Sequence, residues 1–400
     1  MKSLAPKTEE EASAIIAVHA ARREPLVICG NGTRSGYGNP VAAEARLQSS
    51  ELAGIVAYTP HEMVMTARSG TPVAVVEEVL ATKNQMLAFE PVDHRALMGT
   101  IGAPTIGGVF AANVSGPRRI VAGGARDSLL GARFVNGKGQ IVRAGGRVMK
   151  NVTGLDLAKL VAGSHGTLGL LTEVTFRVLP RPMTETTVLI LGLAEPAATS
   201  AMAAAMALSV EVSAAAHLPV TREGGGYNYN GEGNAVATTA LRLEGTASSV
   251  EGRVVKLLRA MSAFGSAARL DPDRSAMLWR SVRNVSPFCD GSARPLWRVS
   301  VAPSSGHRLV AALRKTVDVD AFYDWQGGLI WLRTEGDPHA DVLRGHLKAF
   351  GGHATLLRAS AEARRAVPSF EPSSDSVSML SRKIKESFDP AGILNPGKMG

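Results

Sequence analysis

An α+β fold in two domains is what this sequence predicts, and three observations predict it. The chain has 400 residues, long for one domain and short for three. Hydrophobic residues make up 45% and charged residues 20%, enough for buried cores and incompatible with a disordered chain. Short apolar runs alternate with helix-spaced segments, and Pro180-Arg181-Pro182 breaks the pattern near the middle. Of the 42 glycines, a large share crowds into 98–170 without a collagen period, so that stretch requires backbone free of side chains.

The elements follow in order. Apolar residues Ala12, Ile15, Ile16 and Ala20 recur at helical spacing, and Thr8 with Glu11 forms a capping box, so 8–22 is a helix. The apolar run 25–29 is a buried strand entering the loop Gly30-Asn31-Gly32-Thr33-Arg34-Ser35-Gly36. Strands are expected at 54–58 and 63–68, then a helix at 72–81. Strands 129–135 and 140–143 meet at Asn136-Gly137, a hairpin signal. A loop and short helix fill 151–162, and 168–179 closes the first domain as a strand. Beyond it the segments read strand at 187–193, helix at 196–208, strand at 236–243, helix at 249–264, strand at 297–301 and helix at 307–315. A strand pair at 321–333, a helix at 339–350 and a strand at 354–357 follow, which suggests a sheet with helices on one face. Segment 224–233 reads as a polar loop, and 376–388 as a last helix. No internal repeat is legible.

Charge and cysteine usage bound the function classes. Lys and Arg total 44 against 35 Asp and Glu, a formal net charge of +9. That balance suits a phosphate-bearing ligand, an acidic partner or an anionic membrane surface, and equally a solvated surface. The basic residues are scattered, so no nucleic-acid arm is expected. Cys29 and Cys289 have no CxxC partner and suggest a reducing compartment. No signal peptide and no apolar run of membrane-spanning length is read, so the expectation is cytoplasmic, with peripheral attachment at the inner face of a membrane left open.

Several motifs are set aside. Gly392 to Lys398 has the spacing of a P-loop start, but Met399 stands where a Ser or Thr hydroxyl must hold magnesium. There is no HExxH pair or CxxC-linked cluster, so no metal site is expected, and no GxSxG elbow for a hydrolase. The 30–36 loop lacks the third glycine of a dinucleotide fingerprint, Ser35 standing there. By itself the loop is either a phosphate-binding concavity or a turn.

The combination carries more than any part. Thr105-Ile106-Gly107-Gly108 leads to Asn113 and Gly116, then Arg126-Asp127, Lys150-Asn151-Val152-Thr153-Gly154, and Gly163-Ser164-His165-Gly166-Thr167-Leu168-Gly169-Leu170-Leu171. In this order and spacing they resemble the FAD-binding domain of the vanillyl-alcohol oxidase (PCMH-type) family over 6–182. Gly116-Pro117-Arg118-Arg119, the 146–154 segment, 351–358 and Leu394-Asn395-Pro396-Gly397 extend the resemblance, to the smaller FAD-binding subunits of bacterial glycolate oxidases.

The resemblance implies a two-lobed PCMH-type FAD-binding domain at 1–182, with lobes of about 1–57 and 58–182. It implies an α+β (ferredoxin-like) cap at 183–358 and a segment 359–400 returning to the FAD domain. It places the cofactor pyrophosphate at Gly30, Asn31, Gly32, Thr33, Arg34, Ser35 and Gly36. Gly107 and Gly108 admit the cofactor where a Cβ would clash, with Thr105, Ile106 and Asn113 in the same loop and Gly116 at the same surface. Gly166, Thr167, Leu168, Gly169 and Leu171 run beside adenine and ribose. Arg34 faces either the pyrophosphate or solvent. Neither loop carries the histidine or cysteine of covalent relatives, so non-covalent FAD is expected.

The family's 2-hydroxy-acid dehydrogenases carry an H-x-G-D-G-N motif that this chain lacks. Three readings stay open. One is an electron-relay or structural FAD subunit of a glycolate oxidase, working with a larger FAD-linked subunit and an iron–sulfur subunit. The second is a self-sufficient dehydrogenase with His353 or His94 as base, and the third a non-catalytic assembly subunit.

Overall fold

The computed structural model describes residues 1–146, 154–225, 227 and 235–400; most of the 146–154 motif and of the 224–233 loop lies outside the described residues. The chain divides into two compact units. The first holds 1–115, 123–181 and 372–400, and the second 116–122 and 182–371.

The first unit is built on two main sheets and a short two-stranded pair, Gln85–Met86 with Leu179–Pro180. Strands Lys2–Leu4, Ala45–Gln48 and Leu26–Cys29 form a parallel three-stranded sheet. The helix Glu9–Arg22 packs on it through Ala12 and Ile16. Its N-cap is as expected, the Thr8 hydroxyl accepting from the Glu11 N–H, while the Glu11 carboxylate reaches back to the Lys7 N–H. The second sheet is antiparallel, in the order Ile55–Thr59, Val64–Arg68, Leu170–Arg177, Leu129–Val135, Ile141–Gly145. Asn136 turns the last hairpin, its side-chain oxygen accepting from the N–H groups of Lys138 and Gln140.

The C-terminal segment completes this unit. Helix Asp375–Phe388 ends at buried Asp389, whose carboxylate accepts from Ile393 N, Leu394 N and Lys385 Nζ. Ile393 and Leu394 are core residues beside Leu26 and Ile28. Leu26 N–H donates to the Ile393 carbonyl at 2.8 Å, so the tail lies along the first buried strand.

The second unit has one eight-stranded antiparallel sheet and contains a repeat that the sequence conceals. Strand Thr184–Leu191, helix Glu195–Ala207, strands Ala214–Leu218 and Thr238–Gly245, helix Ala247–Met261 and strand Ala267–Leu270 make one βαββαβ half. Leu296–Ser300, Gly306–Leu313, Val319–Asp324, Leu329–Thr334, Ala340–Phe350 and His353–Arg358 make the other. Each half has the ferredoxin-like strand order, and the two halves mirror each other across the sheet. They are joined where Ala214–Leu218 meets Val319–Asp324, through the single register pair His217 and Tyr323. Each half closes its own apolar layer. Val188, Ile190, Leu241 and Leu243 meet Met202, Val254 and Leu257 in the first. Val299, Ile330, Leu332 and Leu356 meet Leu309, Leu313, Leu343 and Leu347 in the second. Among the described residues, no helix is long and apolar enough to cross a membrane.

Candidate functional site

The glycine loops converge on one cavity of the first unit. Its wall begins where strand Leu26–Cys29 runs into Gly30, Asn31, Gly32, Thr33, Arg34 and Ser35, all of which line it. Thr105, Gly107 and Gly108 form the facing wall, and His165, Gly166, Gly169 and Leu171 the third. Several glycines here are obligatory. A Cβ on Gly30 would collide with Thr105 Oγ1, and one on Gly107 would lie 2.5 Å from Ser69 Cβ and 2.8 Å from the Ser69 carbonyl oxygen. Gly32 has φ +72, which favours glycine. The first loop therefore packs on the Thr105 side chain, and the second loop on Ser69, only because these positions carry no Cβ.

Local capping fixes the loops. The Thr105 hydroxyl accepts from the Gly108 N–H and starts the short helix Ile106–Ala111. Asn31 Nδ2 donates to the Ala103 carbonyl at 3.0 Å, joining the first loop to the second. Ser69, under the Gly107 approach, donates to the Leu171 carbonyl at 2.6 Å. Asn395 ties the C-terminal tail to both remaining walls. Its Oδ1 accepts from Ile28 N at 2.8 Å, and its Nδ2 donates to the carbonyls of Ile28 and His165 at 3.0 and 2.8 Å.

The cavity's electrostatics are one-sided. Arg34, Arg46 and Lys398 line it, and no aspartate or glutamate does. Arg34 is turned inward: its Nε donates to His94 Nδ1 at 3.3 Å and its Nη2 to the Val92 carbonyl at 3.2 Å. Burial lowers its pKa to about 10, opposed by Asp93 and Tyr37, so it remains a cation at neutral pH. Arg46 Nε is buried without a hydrogen-bond partner. Burial pushes the Cys29 thiol up to about 11, with Arg46 and Lys398 pulling it down. Burial, then Lys398 and Arg34, push the His165 imidazole down to about 3, leaving it neutral. Lined by basic side chains, such a site favours an anionic ligand over a cation.

Other sequence-predicted residues are placed differently. Gly36 lies in the loop but outside the cavity wall, as do Thr167 and Leu168 beyond Gly166. Ile106 is fully buried in the core, beneath the wall that its neighbours form. Asn113 braces the fold, its Oδ1 accepting from Arg126 N at 2.9 Å. Gly116 belongs to the second unit, where its carbonyl accepts from Trp325 Nε1 at 3.0 Å. His94 is buried and offers Nδ1 to Arg34, which orients the arginine. His353 stands exposed at the start of an edge strand of the second unit. Cys29, Arg46, Ser49, Ser69, His165 and Lys398 also line the cavity, and sequence reasoning did not select them. The GxxxxGK spacing at 392–398 marked Lys398, but it was read only as a failed P-loop.

Comparison with known proteins agrees with this geometry. Residues 3–145 match the FAD binding domain family, and 373–399 match the C-terminal domain of FAD linked oxidases. The chain is similar to the glycolate oxidase subunit GlcE of Escherichia coli, 31% identical over 379 residues, or 94% of this chain and 93% of that one. It is 32% identical over 189 residues to the glycolate oxidase subunit GlcD of Bacillus subtilis, covering 47% of this chain and 39% of that subunit. Its fold is similar to p-cresol methylhydroxylase with substrate bound, at TM-score 0.73 and 15% identity, covering 100% of this chain and 88% of that one. It is also similar to alkyldihydroxyacetonephosphate synthase, at TM-score 0.69 and 15% identity, covering 98% of this chain and 76% of that one.

Proposed function

This chain belongs to the PCMH-type family of FAD-linked oxidases, beside the glycolate oxidase subunit GlcE, and from that footing we propose that it is the FAD-binding subunit of a glycolate oxidase. The complex oxidises glycolate to glyoxylate, a CH–OH oxidation of a 2-hydroxy acid, and includes a larger FAD-linked subunit of the GlcD kind. An iron–sulfur subunit receives the electrons. The observation that carries the cofactor assignment is the acid-free cavity walled by glycine backbone, with three cations around it.

The residues fit FAD held without a covalent bond. The backbone of the 30–34 loop, facing the wall at Gly107 and Gly108, would hold the pyrophosphate, and Gly166, Gly169 and Leu171 would lie along the adenosine half. Bound FAD supplies a two-electron acceptor. The protein's part is to neutralise two phosphate charges, exclude water from the loop and hold the dinucleotide extended. Neutral His165 adds no charge and packs edge-on to Tyr37, with ring centroids 4.8 Å apart.

Within the complex this chain relays electrons or supports the fold, because its sequence has no H-x-G-D-G-N motif to polarise a hydroxy acid. Purifying the chain alone and with its neighbours, then adding glycolate under a flavin absorbance spectrum, tests this. Flavin is expected in both preparations, with bleaching in the complex only. Bleaching of the isolated chain would overturn the relay role, and a chain that never holds flavin would overturn the cofactor assignment.

A further inference from the structure

We propose that Lys398 is a cofactor-retention residue, its ammonium set against the FAD pyrophosphate in the cavity it lines together with Arg46 and Arg34. The proposal deepens the FAD reading and rests on it. The C-terminal turn then acts as a clasp closed on the dinucleotide.

The placement follows from what each cation faces. A Cβ on Gly32 would lie 4.0 Å from Arg46 Nη1, so Arg46 marks the first glycine loop. A Cβ on Gly108 would lie 3.3 Å from Arg34 Nη1, so Arg34 marks the start of helix Ile106–Ala111. Lys398 lines the same cavity as Arg34 and Arg46, along with the glycine loops at 30–32 and 107–108. A pyrophosphate presents two negative charges there, facing the three basic side chains that line the cavity.

The backbone carrying Lys398 is fixed on both sides. Lys398 N donates to the Asn395 carbonyl at 3.2 Å, and its own carbonyl accepts from Asn39 N at 2.9 Å. Asn39 Nδ2 holds the Gly397 carbonyl at 3.0 Å, and Gly397 takes φ +71 to make the turn. Asn395 anchors the turn to strand Leu26–Cys29, as described. Arg46 lines the same cavity and supplies a second basic side chain for the phosphates.

The experiment uses the full chain, freed of flavin, with Lys398→Gln, the conservative Lys398→Arg, and Lys383→Gln on exposed helix surface as a charge control. FAD affinity is read from flavin fluorescence at low and high salt, and ADP affinity from competition. Lys398→Gln is expected to weaken FAD and ADP alike by about 10- to 100-fold, the range of one charge-assisted hydrogen bond. Its salt dependence should be shallower, and its ligand-free melting temperature unchanged. Lys398→Arg should stay within about 3-fold and Lys383→Gln at wild type. Wild-type FAD affinity in Lys398→Gln, or loss of FAD with ADP unaffected, would each overturn the clasp while leaving the FAD reading intact. An unmutated chain that binds neither FAD nor ADP would overturn both.

Discussion

At Gly30 a single hydrogen atom stands where any side chain would meet the Thr105 hydroxyl. Gly30→Ala is therefore expected to cut flavin retention at least tenfold and to lower the melting temperature. Thr105→Ala alone removes a helix cap, at a cost of about 1 kcal/mol. Combining the two relieves the collision, so the double variant should be more stable than the sum of the single losses predicts. His165 sets a second expectation. Its folded pKa of about 3 lies below its ordinary 6.5, so the folded state disfavours the protonated imidazole. The stability it contributes is intact above pH 6.5 and drains away as pH falls toward 3, at up to about 1.4 kcal/mol per pH unit. His165→Asn, which tolerates the left-handed φ of +51, should flatten the pH dependence of thermal unfolding between pH 7 and 4.5. Equal slopes in variant and wild type would refute this. The glycines were legible in the sequence because close approach of backbone leaves a compositional mark. Arg46 and Lys398 were not, because they reach the cavity from a strand and a tail that only the folded chain brings together.

Among the elements, the tail 389–398 does more than a Pro/Gly terminus suggests. Asn395 satisfies the backbone of Ile28 on both its N–H and its carbonyl. Asn395→Ala leaves those buried groups unpaired, and each orphan costs about 1–3 kcal/mol. A fall of several degrees in the ligand-free melting temperature is expected, unlike the silent Lys398→Gln. Strand Ala214–Leu218 shows where sequence reading fails. Ala-Ala-Ala-His-Leu has helical propensity, yet it lies at the centre of the eight-stranded sheet with every residue buried. Its alanines, His217 and Leu218 are all packed between neighbouring strands and layers, and tertiary context overrides the local preference. The repeat was hidden for a related reason. The two halves share strand order and helix placement, while the apolar residues that fill them differ: alanines and Met202 in helix Glu195–Ala207, leucines and a valine in Gly306–Leu313.

For the whole molecule, the first unit is assembled from three separated stretches of chain, the last of which is 372–400. Deleting 372–400 removes Asn395, Lys398 and the core residues Ile393 and Leu394 together. The truncated chain is expected to hold no flavin and to show raised hydrogen exchange in strand Leu26–Cys29, with the second unit's sheet still protected. Protection of that strand equal to the full chain would contradict the role given to the tail. The change in texture at 180–182 was visible in the sequence. The inclusion of 116–122 in the second unit was not, since that assignment depends on contacts such as the Trp325 bond to the Gly116 carbonyl.

The hydrogen bond between Ile28 and Asn395 spans 367 residues of chain. At a synthesis rate of about 5–20 residues per second, roughly 20 to 75 s separate the emergence of the two partners from the ribosome. The strand Leu26–Cys29 must wait through that interval with its edge unsealed, and only the synthesis of 393–395 supplies the piece that seals it. Cofactor loading is thereby placed after that stretch has emerged, and a nascent chain arrested before residue 393 should take up no FAD.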